Sequence, residues 1–275
     1  MADLVHIATD RLSAAINPFG AELTHLRDPD GRELMTNADP AFWPRHAPIL
    51  FPVIGVTNGG VIRVDGTEYP MPKHGFARDR AWVLEQAEVR GEHAFAVLRL
   101  SDDAATRALW PHAFALELTV SVDASRLEME LAVVNTGEQP FEFQSALHTY
   151  LACADVRRAQ LEGLMGQNFQ DMVVNEPRQQ WVDVVTVAQE LDRIYWQVPT
   201  DFTLREVGRR VAIQQNGFED LVVWNPGPDQ AAALSDMPDD DWLGFMCVES
   251  AQIGNPVRLT AGEEWSAMQT LVAAS

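Results

Sequence analysis

Apolar and polar residues alternate with a period of two through the middle of the chain. Apolar side chains occupy every second position over 114–122 and again over 127–133, with the turn-forming segment Asp123–Ser125 between them. After a second turn at Asn135–Gly137, the alternation largely continues over 141–147. Such alternation is typical of strands with one buried face, and short connections favour antiparallel neighbours. The three segments therefore predict an antiparallel meander.

Similar short patterns predict nine further strands along the rest of the chain: 4–8, 12–16, 22–27, 61–64, 94–100, 211–215, 221–224, 244–249 and 268–273. Helical periodicity is sparse, and only 102–110 predicts a short helix, which Pro111 would end. The 17 glycines and 16 prolines are spread throughout, as many turns require. We find no internal repeat and no linker. The sequence predicts an all-β protein, a large antiparallel β-sandwich with few short helices, forming one domain over 1–275.

The composition is that of a folded globular protein rather than a disordered chain. Of 275 residues, 47% are hydrophobic and 22% are charged. The longest apolar stretch, 47–56, is interrupted by proline and glycine and is shorter than the roughly 18 residues of a membrane span. The N-terminal segment has neither a basic start nor a continuous apolar run, so we expect no signal peptide and a cytoplasmic location.

Charge and cysteine content exclude several classes of partner and site. Forty acidic residues against 20 basic ones give a net charge of −20, which would repel nucleic acids and anionic membranes. Cys153 and Cys247 lie far apart in apolar segments and predict two reduced core cysteines rather than a disulfide or a zinc site. The acidic run 236–241 predicts a solvated loop, because a metal loop needs more evenly spaced oxygen ligands.

A first candidate segment for chemistry, 70–79, concentrates basic groups beside a glycine. Lys73, His74 and Arg78 lie within six residues of one another, with Gly75 between them. Clustered donors of this kind suit the hydroxyl groups or phosphate of a polar ligand. The alternative is a solvated loop containing a salt bridge such as Arg78 to Asp79. Lys73 is the only lysine of the chain.

A second candidate segment, 141–150, places unusual polar side chains on one face of a strand. Alternation would put Glu142, Gln144, His148 and Tyr150 on the same side. A solvent-facing strand prefers other residues, so this mixture predicts a binding face. A structural histidine is the alternative for His148. If the face is a site, the ordinary pKa of histidine makes His148 the natural proton donor.

A third candidate is Glu249, which ends the nearly unbroken apolar run 243–248. A carboxylate in such surroundings loses hydration, and its pKa is expected to rise toward the range of a general base. The alternative is a glutamate at the end of a strand, pointing into water.

These segments together resemble the aldose 1-epimerase (galactose mutarotase-like) superfamily, and most closely its glucose-6-phosphate 1-epimerase branch. The resemblance runs in order from about Trp43 to Trp265. It is carried by the following motifs: His-Gly-Phe-Ala-Arg at 74–78, Leu-His-Thr-Tyr at 147–150, Asp-Arg-Ile-Tyr at 192–195, Val-Val-Trp-Asn-Pro at 222–226, Cys-Val-Glu at 247–249 and Leu-Thr-Ala-Gly-Glu-Glu-Trp at 259–265.

The resemblance implies a large β-sandwich that binds a sugar across one concave sheet face. It implies His148 as general acid and Glu249 as general base for opening and reclosing the sugar ring. It implies substrate contacts for four more residues: Arg45, His74, Arg78 and Asp192. No metal, nucleotide or redox cofactor is expected, in line with the lack of a glycine-rich phosphate loop or a Cys/His metal pattern.

Two positions depart from the pattern of this branch. Lys73 stands where the branch usually has glutamine, and it adds a cation that favours an anionic sugar. Arg45 is followed by His-Ala-Pro instead of Gly-Gly-Ile-Pro, so the proline lies one residue closer to the arginine. We therefore expect a mutarotase acting on a hexose or a hexose 6-phosphate, with Lys73 among the substrate-binding residues.

Two other functions are compatible with the same residues. A sugar-binding protein without turnover could use the same polar face and the eight tryptophans, but it would not need a buried proton-transfer pair. A regulatory partner that recognises a phosphosugar is suggested only by the acidic surface and the arginines.

Overall fold

A computed structural model describes residues 3–36 and 43–274, so the expected domain limits at 1 and 275 lie outside the described residues. Within these ranges 21 strands are found: β1 Val5–Ala8, β2 Ser13–Asn17, β3 Glu22–Arg27, β4 Ile49–Leu50, β5 Val61–Val64, β6 Thr67–Pro70, β7 Val83–Arg90, β8 His93–Ser101, β9 Phe114–Asp123, β10 Arg126–Asn135, β11 Phe141–Ala152, β12 Gln160–Glu162, β13 Asn168–Asp171, β14 Glu176–Gln179, β15 Val184–Val185, β16 Leu191–Tyr195, β17 Asp201–Glu206, β18 Arg209–Asn216, β19 Asp220–Asn225, β20 Phe245–Leu259 and β21 Glu264–Ala274.

Helices are few and short. The described ranges contain two α-helices, α1 Ala104–Arg107 and α2 Gly227–Ala233. They also contain four single turns of 3-10 helix: Asn58–Gly60, Ala77–Asp79, Val156–Arg158 and Asp241–Gly244. No helix among these residues is long and apolar enough to cross a membrane.

Two large antiparallel sheets form the sandwich. One has nine strands in the order β15-β12-β17-β18-β21-β10-β9-β8-β7, and the other has seven in the order β14-β13-β16-β19-β20-β11-β4. A three-stranded sheet β1-β2-β3 and a hairpin β5-β6 complete the described strands. The main core lies between the large sheets and includes Leu131 of the first and Leu147 and Val248 of the second. The predicted all-β, antiparallel fold class is confirmed.

The predicted meander is correct for two of its three strands. β9 and β10 pair over their whole length, and the apolar positions of β10, from Leu127 to Val133, are buried in alternation. The third strand, β11, instead belongs to the seven-stranded sheet, because the free edge of β10 is paired with β21. Alternation identifies a strand with a buried face, but it does not specify which sheet the strand joins.

β11 from Ser145 to Leu151 and β20 from Phe245 to Gln252 are buried on both faces. Their inner face contributes to the main core. Their outer face contributes to a small separate cluster that contains Leu50, Ala146, Val222 and Ala251. The outer face of this sheet is therefore covered as well, and it carries the cavity described below.

The helix predicted over 102–110 is shorter than expected. Asp103 caps α1 by accepting a hydrogen bond from the backbone of Thr106, and the helix ends at Arg107. Conversely, α2 was not predicted, because its sequence Gly-Pro-Asp-Gln begins with residues typical of a turn. Strand β7 was also missed, because it lies exposed at a sheet edge and shows little apolar alternation.

The buried core runs from Val5 near the beginning of the chain to Leu271 near its end, and the organisation as one domain stays a prediction. Cys153 and Cys247 are both free and buried, as expected from their apolar segments.

Candidate active site

A cavity of about 670 Å³ lies over the outer face of the seven-stranded sheet. All seven residues singled out in the sequence line it: Arg45, Lys73, His74, Arg78, His148, Asp192 and Glu249. They come from segments spread over 205 positions of sequence, from 45 to 249, so the fold brings them together. The size is that of a small-molecule binding site.

His148 and Glu249 form a buried contact in the middle of this sheet. They are direct cross-strand partners on β11 and β20, and Nε2 of His148 lies 3.1 Å from Oε1 of Glu249. Their side chains are only 11% and 4% exposed. Glu249 is therefore not a strand-end glutamate in water, because β20 continues for ten residues beyond it.

Burial has opposite effects on the two partners. Desolvation raises the pKa of Glu249 well above its ordinary value, and the charge of Asp192 acts in the same direction. Desolvation lowers the pKa of His148 to about 3, with the nearby charges of His74 and Arg78 contributing. Both pKa shifts favour the state in which the carboxyl group is protonated and the imidazole is neutral. The pair as a whole then carries one titratable proton.

Aromatic rings fix the imidazole of His148. The ring of Tyr150 stacks on it, with centroids 4.8 Å apart and an interplanar angle of 17°. Trp224 meets it edge-on at 6.2 Å. Among the residues that the structure describes, Nδ1 of His148 has no hydrogen-bond partner although it is buried. The contact of Nε2 with Glu249 is therefore the polar contact that the structure gives this ring.

His74 is held by an unusual backbone conformation. His74 and Gly75 have φ angles of 67° and 73°, and a Cβ at position 75 would lie 2.0 Å from the carbonyl oxygen of Phe51. Only glycine fits there. The backbone N–H of Gly55 donates to Nδ1 of His74 at 3.1 Å, so a neutral ring carries its proton on Nε2. Burial lowers the pKa of His74 to about 3, which makes the neutral donor the relevant form.

A cationic cluster forms another part of the cavity wall. Asp79 contacts two arginines, at 2.8 Å from Nη2 of Arg45 and 3.6 Å from Nε of Arg78. Arg78 also donates from Nη2 to the backbone carbonyl of Lys73 at 2.9 Å. The Arg78–Asp79 salt bridge of the alternative interpretation is thus present, and Arg78 also lines the cavity while Asp79 does not. With Lys73, the cluster has three cations, which outnumber the two carboxylates that interact with its arginines, Asp79 and Glu22.

The backbone that carries Arg45 is anchored by a buried carboxylate. Glu22 on β3 accepts hydrogen bonds from the backbone N–H groups of His46 and Ala47 at 2.5 and 3.1 Å. Desolvation raises the pKa of Glu22, and these hydrogen bonds oppose that effect. Sequence reasoning missed Glu22, because nothing local distinguishes it from an ordinary strand glutamate.

Asp192 supplies an acceptor in a different part of the cavity. It lies on β16, directly opposite Trp224 of β19. Desolvation raises its pKa to about 6, with Glu190 acting in the same direction and Lys73 opposing it. Near neutral pH it is thus an acceptor that readily takes up a proton.

Other residues also line the cavity, among them Tyr150, which already belonged to the predicted binding face of β11, and Trp224, Gln230 and Asp236, which were not predicted for the site. Tyr150 and Trp224 lie in the family-like motifs, so the resemblance offered a signal for them. Gln230 lies on the unpredicted helix α2, and its Oε1 is buried without a partner among the described residues. Asp236 is exposed as expected for a loop, yet it also lines the cavity.

The predicted polar face of β11 is only partly a binding face. A register shift between Phe143 and Ser145 separates its two ends. Glu142 forms an exposed ion pair with Arg258, and Gln144 binds backbone groups of neighbouring segments. Neither lines the cavity, and only the half of the strand beyond the bulge contributes to it.

Within residues 3–36 and 43–274, no three His, Cys, Asp or Glu side chains converge as a metal-binding group would. The charged groups of the cavity wall instead suit direct hydrogen bonding to hydroxyl and anionic oxygens.

Known proteins that are similar to this chain carry related descriptions. A family model described as Aldose 1-epimerase matches residues 3–271. A "Putative glucose-6-phosphate 1-epimerase" of Cenchrus ciliaris is 29% identical over 269 residues, covering 92% of this chain and 78% of the relative. A protein of the same name from Escherichia coli (strain K12) is 31% identical over 194 residues, covering 69% of this chain and 64% of the relative.

Among solved structures, a crystal structure described as a "putative mutarotase" from Salmonella typhimurium matches with a TM-score of 0.85 and 26% identity. The match covers 99% of this chain and 90% of that chain. The resemblance drawn from the sequence motifs is confirmed.

Proposed function

Since the chain belongs to the aldose 1-epimerase family, we propose that it interconverts the α and β anomers of a hexose or hexose 6-phosphate. The observation that carries this proposal is the buried contact between His148 and Glu249 on the wall of a sugar-sized cavity. A carboxyl and an imidazole that burial shifts in opposite directions form an acid–base pair.

In the proposed reaction, the Glu249 carboxylate removes the proton of the anomeric hydroxyl. The C1–O5 bond breaks as C1 becomes a carbonyl carbon, and protonated His148 donates its proton to the ring oxygen. Rotation about C1–C2 presents the other face of the carbonyl, and the same transfers run backwards on closure. Every proton that leaves one atom is taken up by another, so the pair needs no external acid or base.

The proton count of the pair is the same before and after ring opening. It begins as carboxylate and imidazolium and ends as carboxyl and neutral imidazole, with one proton on the pair in both cases. Burial favours the uncharged form, which is the form present with the open-chain sugar. The ion pair that begins the reaction is therefore the minor form of the free pair, and ring opening returns the pair to its favoured form.

The other cavity residues have roles that follow from their donors and acceptors. His74 presents an Nε2–H donor, and Asp192 presents a carboxylate, both suited to sugar hydroxyl groups. Arg45, Lys73 and Arg78 suit an anionic substituent, and their excess over Asp79 supports a hexose 6-phosphate as the substrate class. We assign Lys73 an electrostatic role, because the ammonium group of lysine is a point charge at the end of a flexible side chain.

Anomeric exchange measured by one-dimensional proton NMR tests the proposal. Freshly dissolved α-glucose 6-phosphate and α-galactose are compared with wild type, His148→Ala and Glu249→Gln. We expect acceleration by wild type and a loss of roughly 10²–10⁴-fold in each variant. Arg63→Gln, which removes an exposed cation outside the cavity, is the matched control and should retain the rate.

Two results would contradict the proposal. Folded His148→Ala and Glu249→Gln proteins with the full rate would remove the assigned roles. Saturable binding of either sugar to wild type, without exchange above the buffer rate, would instead identify a sugar-binding protein on the same fold.

A further inference from the structure

A buried glutamine connects the two large sheets directly behind the cavity. Gln269 on β21 is 0% exposed. Its Oε1 accepts a hydrogen bond from the hydroxyl of Thr149 at 2.5 Å. Its Nε2 donates to the carbonyl of Val248 at 3.1 Å and to the hydroxyl of Ser250 at 3.0 Å. The amide thus links β21 of one sheet to β11 and β20 of the other.

The orientation of this amide is determined by its partners. The carbonyl of Val248 can only accept, so the nitrogen of Gln269 must face it and the oxygen must face Thr149. Both N–H groups and the oxygen are then used. Gln269 lies between Ala267 and Leu271, which face the same core and are apolar. An apolar residue here would suit the core, so stability alone does not explain the glutamine.

The partners of Gln269 are the immediate neighbours of the acid–base pair. Thr149 follows His148, while Val248 and Ser250 precede and follow Glu249. Successive side chains of a strand point to opposite faces, so the hydrogen bonds lie on the core side and the pair lies on the cavity side. A movement of β11 relative to β20 would break a buried hydrogen bond of the amide.

We propose that Gln269 is a positioning residue, which holds His148 and Glu249 at their working separation by tying both strands to the opposite sheet. This inference rests on the proposed function, because it assigns the pair a reactive geometry that must be maintained. Gln269 touches neither the cavity nor a substrate, and it acts only through the two strands.

The chain offers a matched control. Gln215 on β18 is directly opposite Gln269 in the same sheet and is 4% exposed. Its Nε2 donates to the backbone carbonyls of Phe218 at 3.2 Å and of Asp220 at 3.5 Å, and none of its hydrogen bonds among the described residues goes to Thr149, Val248 or Ser250. Gln215→Met and Gln269→Met therefore make the same chemical change in neighbouring core positions, and only the second removes the contact behind the pair.

The experiment measures kcat and KM for anomeric exchange, together with the imidazole ¹⁵N signals of His148, in wild type and both variants. For Gln269→Met we expect kcat to fall roughly tenfold to hundredfold, KM to change less than about threefold, and the His148 signals to shift. Gln215→Met should leave all three unchanged. An unchanged kcat, or an equal loss in both variants, would overturn the proposal.

A second variant separates positioning from stability. The triple variant Gln269→Met, Thr149→Val, Ser250→Ala removes the hydrogen-bonded side chains together and should recover much of the lost thermal stability. We expect its kcat to stay low, and a recovered kcat would overturn the proposal. If Gln269→Met does not fold, Thr149→Val takes its place. This variant removes one hydroxyl group and keeps the shape of the side chain. It is compared with Gln215→Met by the same measurements and criteria.

If the proposed function is wrong, the same experiment gives a different set of results. In that case wild type does not accelerate exchange, while the ¹⁵N signals still report on His148. A shift in Gln269→Met but not in Gln215→Met then supports the positioning role, and identical signals in both variants contradict it.

Discussion

Nε2 of His148 lies 3.1 Å from Oε1 of Glu249 because the two residues are direct partners on adjacent strands. Their separation is thus set by the register of β11 and β20 and not by the conformation of a loop. Residues on paired strands are held more exactly than residues on loops, which suits two groups that must act on one sugar ring. The surrounding cavity wall, in contrast, is built largely from loops and strand ends.

The pH dependence of the rate should report on this pair and on Lys73. The reactive pair carries one proton, so the rate should fall above the raised pKa of Glu249 and below the pKa of about 3 of His148. Lys73 lowers the pKa of both residues, and Lys73→Gln should therefore shift the whole profile to higher pH. Exchange rates over a pH series measure this.

Arg63→Gln serves as the control for Lys73→Gln, because Arg63 is an exposed cation paired with Glu68. An equal shift in both variants would indicate a general effect of net charge. No shift in Lys73→Gln would contradict a close electrostatic role for Lys73.

Replacing Gly75 should disrupt the site far more than replacing a comparable turn glycine. Both Gly75 and Gly66 have positive φ, at 73° and 80°, but a Cβ at Gly66 would meet nothing within 4 Å. Gly75→Ala must displace the backbone near Phe51 and with it His74, so we expect lost exchange activity and a lowered melting temperature. Gly66→Ala should show only the smaller cost of its backbone strain. Similar behaviour of the two variants would contradict this argument.

The cationic cluster should discriminate between phosphorylated and free sugars. Arg78→Gln removes a bidentate donor, so KM for glucose 6-phosphate should rise roughly tenfold to hundredfold, the equivalent of about 1.5–3 kcal/mol for a charge-assisted hydrogen bond. The rate with galactose should change little, and higher salt should weaken only the reaction of the phosphate sugar. Equal effects on both sugars would mean that Arg78 serves hydroxyl groups or the loop structure.

His46 should make the protein less stable in mild acid. Desolvation lowers its pKa to about 4 in the folded state, against about 6.5 when unfolded. The unfolded chain therefore binds an extra proton between these values, and the free energy of unfolding falls as pH falls, by at most about 1.4 kcal/mol per pH unit. His46→Gln lacks this loss and should gain stability relative to wild type from pH 6.5 to 4. Parallel melting curves of the two proteins over this range would contradict the prediction.

The strands with long apolar alternation were predicted well, since β9 and β10 differ from the predicted limits by one or two residues. β3 and β5 have the predicted limits, although no residue of β5 is buried. Other strands were missed or shortened, including β17, in which Phe202 and Leu204 are buried in alternation. β7 is exposed at an edge, and β20 continues to Leu259 although its apolar run ends at Glu249. Periodicity reports how a segment is buried, so it cannot identify a strand that is exposed throughout.

The sequence by itself determined the fold class, the family and the residue types of the site. It did so because buried apolar faces impose a period, and because an acid, a base and clustered cations are chemically distinctive even in isolation. Only the tertiary structure decided that β11 joins the second sheet, that His148 and Glu249 are cross-strand partners, and that Asp79 contacts two arginines. It also revealed Gln269, whose hydrogen bonds join residues 120 positions apart. Such relationships depend on how sheets pair and pack over long sequence distances, which no local pattern of residues specifies.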